Sequence, residues 1–424
     1  MKLKYIIVLL LLFISNISFS QLYTEKPTDK ATSDAFSRLR VSNPQGLTRN
    51  QFTYDRRPLD FDTITVGAGS VITYESTDRL VNMSFTAAAT NDVVAMQSFE
   101  HYIYQEGKSQ LAMITFNMNG GDANAVKFAG YSDGTNGVEF IMNGTTPTVR
   151  ILSGTGNGNQ TVAQGSWNID ALDGTGSSGI TFDPNDVQIL VIDLQALYVG
   201  SVRIGFSIGG KIYYVHQFDH SNQINSPYIQ TANLPIRVGM TATGTATTDI
   251  DFICSTVISE GGQEDPYGII MTAEGTVTAA SGADTHILSI EPKTTFNSIT
   301  NRTVIGVISV DLLVTGSNPV KYKVVTGQAL SGSSTSDVNT TYSSMETVSG
   351  TLSGSPLMVI DRGYVPASNQ AEGSIFKQQT IKLPITLRHD GTKRSDNSAR
   401  VSVLVQGEGG PSVTHATLKW QEIR

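Results

Sequence analysis

The strongest constraint in this chain is a period-two alternation that passes through a pair of glycines. Val202, Ile204, Phe206 and Ile208 fall on one face, Gly209-Gly210 interrupt, and Ile212, Tyr214, His216 and Phe218 are expected to continue that face. Period-two alternation lines one face of a strand, and a two-residue glycine loop supplies the positive φ angles of a tight hairpin. The apolar run 187–194 before it reads as a further strand, fed by a glycine-rich polar loop that starts at Trp167.

The same grammar extends along the chain. Between 63 and 260, short β-like runs at 70–74, 80–86, 93–104, 111–116, 126–131, 138–142, 148–152, 236–240 and 252–258 are separated by turn formers such as Asn119-Gly120-Gly121-Asp122. A second set follows at 287–290, 304–315, 321–325, 357–360, 374–387, 401–405 and 417–420. Residues 328–355, rich in Ser, Thr and Gly, read as a long connection or a flat edge strand. Forty glycines and only 16% charged residues in 424 argue against a chain of amphipathic helices. The predicted fold class is all-β: two β-sandwich, jelly-roll-like domains at 61–262 and 263–424. The boundary falls at Glu260-Gly261-Gly262-Gln263-Glu264-Asp265-Pro266, where glycines, acids and a proline follow an apolar strand.

Residues 1–20 carry Lys2 and Lys4 before an apolar core and a small-residue site at Ser18-Phe19-Ser20, the pattern of a secretory signal peptide. No cysteine follows it to take a lipid, and no later segment has the ~20 apolar residues of a membrane span. The expected location is extracellular, with no stable membrane span after cleavage. Residues 21–60 read as an extended arm, in which Phe36, Leu39 and Val41 interrupt a polar run and are expected to dock it on its own body or a neighbour. A formal net charge of -8 lacks the footprint of a general nucleic-acid binder. The single cysteine, Cys254, excludes an intrachain disulfide and is expected to be a buried, inert thiol.

Motifs that could carry chemistry are few. Gly174-Thr175-Gly176-Ser177-Ser178-Gly179 fits G-x-G-x-x-G but has no strand before it and no helix after it, so it lacks a dinucleotide site's context. Glu106-Gly107-Lys108-Ser109 ends like a phosphate loop, yet Tyr102 stands where the first glycine is required. Asp170, Asp173, Asp183 and Asp186 cluster around the glycine loop and are candidate calcium ligands; the alternative is turn capping without metal. His216, Asp219 and His220 read first as structural. Trp167, Tyr213 and Tyr228 are candidate glycan-contacting aromatics, equally suited to a sheet core. No cofactor is called for apart from that calcium, and no catalytic residue stands out.

Several phrases together resemble a family of virion structural proteins, fibre-like or capsid-associated, of large tailed bacteriophages and related uncultured viruses. They are Asp34-Ala35-Phe36-Ser37-Arg38-Leu39-Arg40-Val41-Ser42, Gly107-Lys108-Ser109-Gln110-Leu111, Ser166-Trp167-Asn168-Ile169-Asp170, Leu172-Asp173-Gly174-Thr175-Gly176, His216-Gln217-Phe218-Asp219-His220, Asn233-Leu234-Pro235-Ile236-Arg237, and the stretch from Cys254 through Gly262. The hairpin is also similar to one in concanavalin-like sandwiches of lectins and phage appendages. The resemblance implies a non-enzymatic particle-surface protein whose partners are copies of itself, other virion proteins and host-surface glycans. The export signal departs from the family's pattern. It leaves open a virus whose proteins cross the host membrane, or a secreted bacterial glycan-binding protein or adhesin that has recruited the domain.

Overall fold

Short strands with alternating apolar positions close into two stacked pairs of antiparallel sheets, each pair around its own core. The structure is a computed structural model that describes residues 32–41, 43–195, 197–262, 268–367, 381–382 and 385–423, with the side chains of 308, 381 and 382 left out. The signal segment, residues 263–267 of the expected boundary, and most of the predicted strand 374–387 lie outside the described residues.

In the first sandwich one sheet runs Lys211–Phe218, Val202–Ile208, Gln188–Leu194, Ser109–Asn117, Ala246–Glu260, Leu80–Ala88, Ser70–Glu75. Its partner runs Gln160–Ala163, Thr146–Leu152, Gly137–Asn143, Ala125–Ser132, Ile236–Ala242, Val93–Ser98, Phe61–Val66. Between them lies an apolar core in which Phe140 meets Phe206 edge-on at 5.1 Å and Phe52, Phe61 and Phe252 pack together. Burying one such ring contributes about 1.5–3 kcal/mol. Pro44–Gln51, expected to be arm, is a strand paired antiparallel with the far half of Ala246–Glu260, and Phe52 behind it enters the core.

The hairpin forms as predicted, with one correction. Gly209 and Gly210 take φ of +59° and +80°, the primed turn that matches strand twist. Pairing of Ile208 with Lys211 then puts Ile212 and Tyr214 on the outer face, not on the core face with Phe206. A bulge restores the register: Ile204 pairs with His216 and Gly205 with Tyr214, leaving Val215 as the extra residue, fully buried in the core.

The second sandwich stacks the sheet Ile269–Ala279, Ser412–Ile423, Val304–Val314, Ile381–Lys382 on the sheet Leu330–Asp337, Met345–Leu352, Thr285–Pro292, Val401–Gly407, Val320–Thr326, Met358–Val365. Trp420, Leu418 and Val403 centre a core separate from the first. The Ser/Thr-rich stretch is an edge strand, Leu330–Asp337, paired with Met345–Leu352.

Candidate functional site

The outer face of the first sandwich's hairpin sheet carries a buried ionic cluster that holds the N-terminal segment. Asp193 interrupts the apolar strand Gln188–Leu194 and has no exposed surface. Its carboxylate accepts hydrogen bonds from Ser109 Oγ (2.7 Å), Tyr214 Oη (2.8 Å), Arg40 (2.6 Å) and Arg203. Arg40 also reaches Glu260 at 2.9 Å, and Arg203 donates to the Ser33 carbonyl at 2.9 Å. Burial pushes the Glu260 carboxyl up, partly offset by Arg40; burial and Asp193 push the Tyr214 phenol up. Ahead of this anchor the segment folds on itself: Asp34 accepts from the Phe36 and Arg38 amides and from Arg38 Nε, with Ser37 at φ +59°.

Of the two docking partners expected for Phe36, Leu39 and Val41, the chain's own body does not receive Leu39 or Val41. Leu39 and Val41 are 56% and 86% exposed and dock nothing in the monomer, and Phe36 is half-buried beneath the Arg38 guanidinium at 4.7 Å. Charged side chains hold the segment because the sheet face beneath it presents a buried carboxylate. The signal in the sequence was Asp193 itself, since a lone carboxylate in an apolar strand needs a cationic partner.

The other candidates separate. Asp170 accepts from the Leu172 and Ser178 amides and from Ser177 Oγ; Asp173 accepts from Thr175, and Asp183 from Asn185. Each caps its own turn, these bonds hold all three carboxyls below the ordinary range, and no three His, Cys, Asp or Glu side chains gather among the described residues. The four aspartates, Asp186 included, do not form the calcium site considered from the sequence. Trp167 is 8% exposed and donates its indole N–H to the Val162 carbonyl; Tyr228 is fully buried and stacked on His220 at 3.9 Å. Neither can present a ring to a sugar, and Tyr213 is only half-buried. His220 donates Nδ1–H to the Gly200 carbonyl at 2.7 Å, which leaves Nε2 to accept from Gln160 at 3.0 Å. His216 Nδ1 accepts the Asn168 amide at 3.2 Å. Burial pushes both imidazoles down. Cys254 is part-buried and contacts Thr115 Oγ1 at 3.2 Å.

Two further polar clusters carry no distinctive sequence motif. Asp249 and Asp251 share one face of their strand and both accept from the amides of Asn82 and Asn119. Beside them Lys127, without exposed surface, donates to the carbonyls of Met118, Gly120 and Asp249; burial pushes it down to about 8 despite Asp249, Asp122 and Asp251. At the seam between the sandwiches, Asp62 accepts from the His389 amide (3.1 Å) and Nδ1 (2.6 Å) and pairs with Arg388 Nε (3.3 Å). Thr386 Oγ1 donates to the Phe99 carbonyl, and the Arg394 guanidinium lies 3.4 Å from the Phe99 ring centre. Burial and the Arg302 charge push His101 in the same seam down to about 3, so it is neutral.

No protein-family model and no curated protein sequence matches the chain. Among solved structures, a Bacillus licheniformis β-glucanase is similar at 12% identity over 52% of this chain and 99% of its own, with a TM-score of 0.32. A legume lectin-like domain from Entamoeba histolytica shows 10% identity over 50% and 96%, with a TM-score of 0.30. The binding domain of botulinum neurotoxin DC, solved with rat synaptotagmin II, shows 10% identity over 63% and 74%, with a TM-score of 0.33. No helix among the described residues is long and apolar enough to cross a membrane.

Proposed function

We propose that this chain is a non-enzymatic structural component of an assembled particle, in keeping with its resemblance to virion structural proteins, and that its N-terminal segment is offered to a neighbouring copy. The observation that carries this reading is the division of labour within residues 33–41. Asp34 pairs with Arg38 within the segment, Arg38 and Arg40 reach the chain's body at the Gly107 carbonyl, Asp193 and Glu260, and Leu39 and Val41 stand in solvent. A segment held rigidly with its apolar side chains outward is pre-organised for a partner, because little ordering entropy remains to oppose association. The alternative of a secreted glycan-binding protein needs a sugar-facing surface other than Trp167 and Tyr228, both buried.

The test is the size of the purified mature chain by light scattering, for the wild type and for Leu39→Asp/Val41→Asp. Assembly of the wild type, lost in the double variant at an unchanged melting temperature, is the expected result. A monomeric wild type, or a double variant that assembles equally well, overturns the reading.

A further inference from the structure

We propose that the cleft between the two sandwiches binds a small acidic ligand, one that presents a single carboxylate, sulfate or phosphate group. The cleft has a volume of about 230 Å³, room for roughly eight waters at ~30 Å³ each. Pro58, Phe61 and Phe99 supply an apolar side. Arg56, Arg388 and Arg394 face Asp62 and Asp396, three positive charges against two negative, so the lining is net +1 in a chain of net charge -8.

The three arginines are not equivalent. Arg394 is fixed: its guanidinium donates to the Thr386 carbonyl, Thr386 Oγ1 and Ser398 Oγ, and it lies on the Phe99 ring. Arg388 gives only Nε to Asp62, so its two terminal nitrogens make no hydrogen bond among the described residues, and its side chain is 34% exposed. Arg56 is exposed and makes no hydrogen bond or ion pair among the described residues. Asp62 already accepts from His389 and from Arg388 Nε, and Asp396 accepts the Ser398 amide. Two guanidinium groups with unused donors beside an apolar wall fit an oxyanion, which takes paired N–H donors, on a body that covers the rings. The occupancy of this cleft is independent of the assembly role proposed above.

Calorimetric titration of the full mature chain with glucuronate, sulfate and inorganic phosphate, and with glucose as the uncharged control, tests the site. At least one anion is expected to bind while glucose does not, and the probe that binds identifies the acidic group. Arg56→Glu, at an exposed and unpartnered position, is expected to weaken that binding at least about tenfold, with an unchanged melting temperature. Arg388→Gln should weaken it as well. Failure of all three anions to bind at millimolar concentration overturns the site, as does binding that Arg56→Glu leaves unchanged.

Discussion

Replacing Asp193 by Asn should destabilise the first sandwich more than any change to the exposed residues of the N-terminal segment. The carboxylate has no exposed surface and receives Arg40, Arg203, Tyr214 and Ser109 together. With its charge gone, Arg40 keeps Glu260 at 2.9 Å, whereas Arg203, 6% exposed, loses the buried carboxylate it pairs with. Removing one partner of a buried ion pair costs about 3–5 kcal/mol, because the other charge loses its counter-charge in a desolvated site. A domain of this size loses about 2–4 °C per kcal/mol, so the melting transition should fall by roughly 6–20 °C in scanning calorimetry near neutral pH. The logic has a second arm. Asp193→Asn/Arg203→Met removes the buried cation along with the carboxylate and should recover part of the loss. A single variant within about 2 °C of wild type, or a double variant no more stable than the single, refutes the argument that burial makes this cluster the anchor.

Three further outcomes follow from the same reasoning. Burial works to raise the Asp62 pKa, but hydrogen bonds from His389 outweigh it and hold the group below its ordinary 3.8. Its stabilisation is therefore present above that value and lost as pH falls through the lower folded pKa, so denaturant melts of Asp62→Asn should show a flatter acid limb than wild type. Lys127 is depressed to about 8 from 10.5, so the folded state binds fewer protons than the unfolded one between these values. Wild-type stability should rise with pH across that window, and Lys127→Met should lose the rise. Gly209→Ala and Gly210→Ala place a side chain at φ of +59° and +80°; each should cost about 1–2 kcal/mol by urea denaturation, with no change in oligomer size.

Much of the fold was legible because a half-buried strand writes its burial into alternate residues. Val202, Ile204 and Phe206 alternate in sequence and all reach the core. The face of Ile212 and Tyr214 was not legible, because it depends on how Ile208 pairs across the turn and on a bulge at Val215 that leaves no mark in composition. The aromatic candidates failed for a related reason. Trp167 follows a short 3-10 turn and Tyr228 lies in a connection between strands, so no strand period reports on either ring; the indole bond to the Val162 carbonyl and the stacking on His220 are tertiary contacts. Asp170, Asp173 and Asp183 could be read either as ligands or as turn caps, and the hydrogen bonds to their own loops are the capping chemistry.

The N-terminal segment shows why the polar residues of a phrase can carry more information than its hydrophobic ones. Leu39 and Val41 are the apolar marks in a polar run, and apolar marks are ordinarily what a segment buries. Here the sheet face that receives the segment carries Asp193 and Glu260, so the complementary chemistry is cationic and Arg40 takes the docking role. That inversion has a consequence for assembly. A segment anchored by its apolar side chains would have exhausted them on its own body and left a polar exterior, which associates weakly. Anchoring by arginine leaves the apolar pair outside, on a backbone fixed by the Asp34 turn and the Ser33–Leu39 bridge. The anchor and the proposed contact surface are thus separable: if the chain assembles through this segment, Arg40→Ala should loosen the segment and weaken assembly together, whereas Leu39→Asp/Val41→Asp should abolish assembly and leave the anchor in place. Hydrogen exchange at residues 33–41 distinguishes the two, and equal protection loss in both variants would show that anchor and contact are one surface.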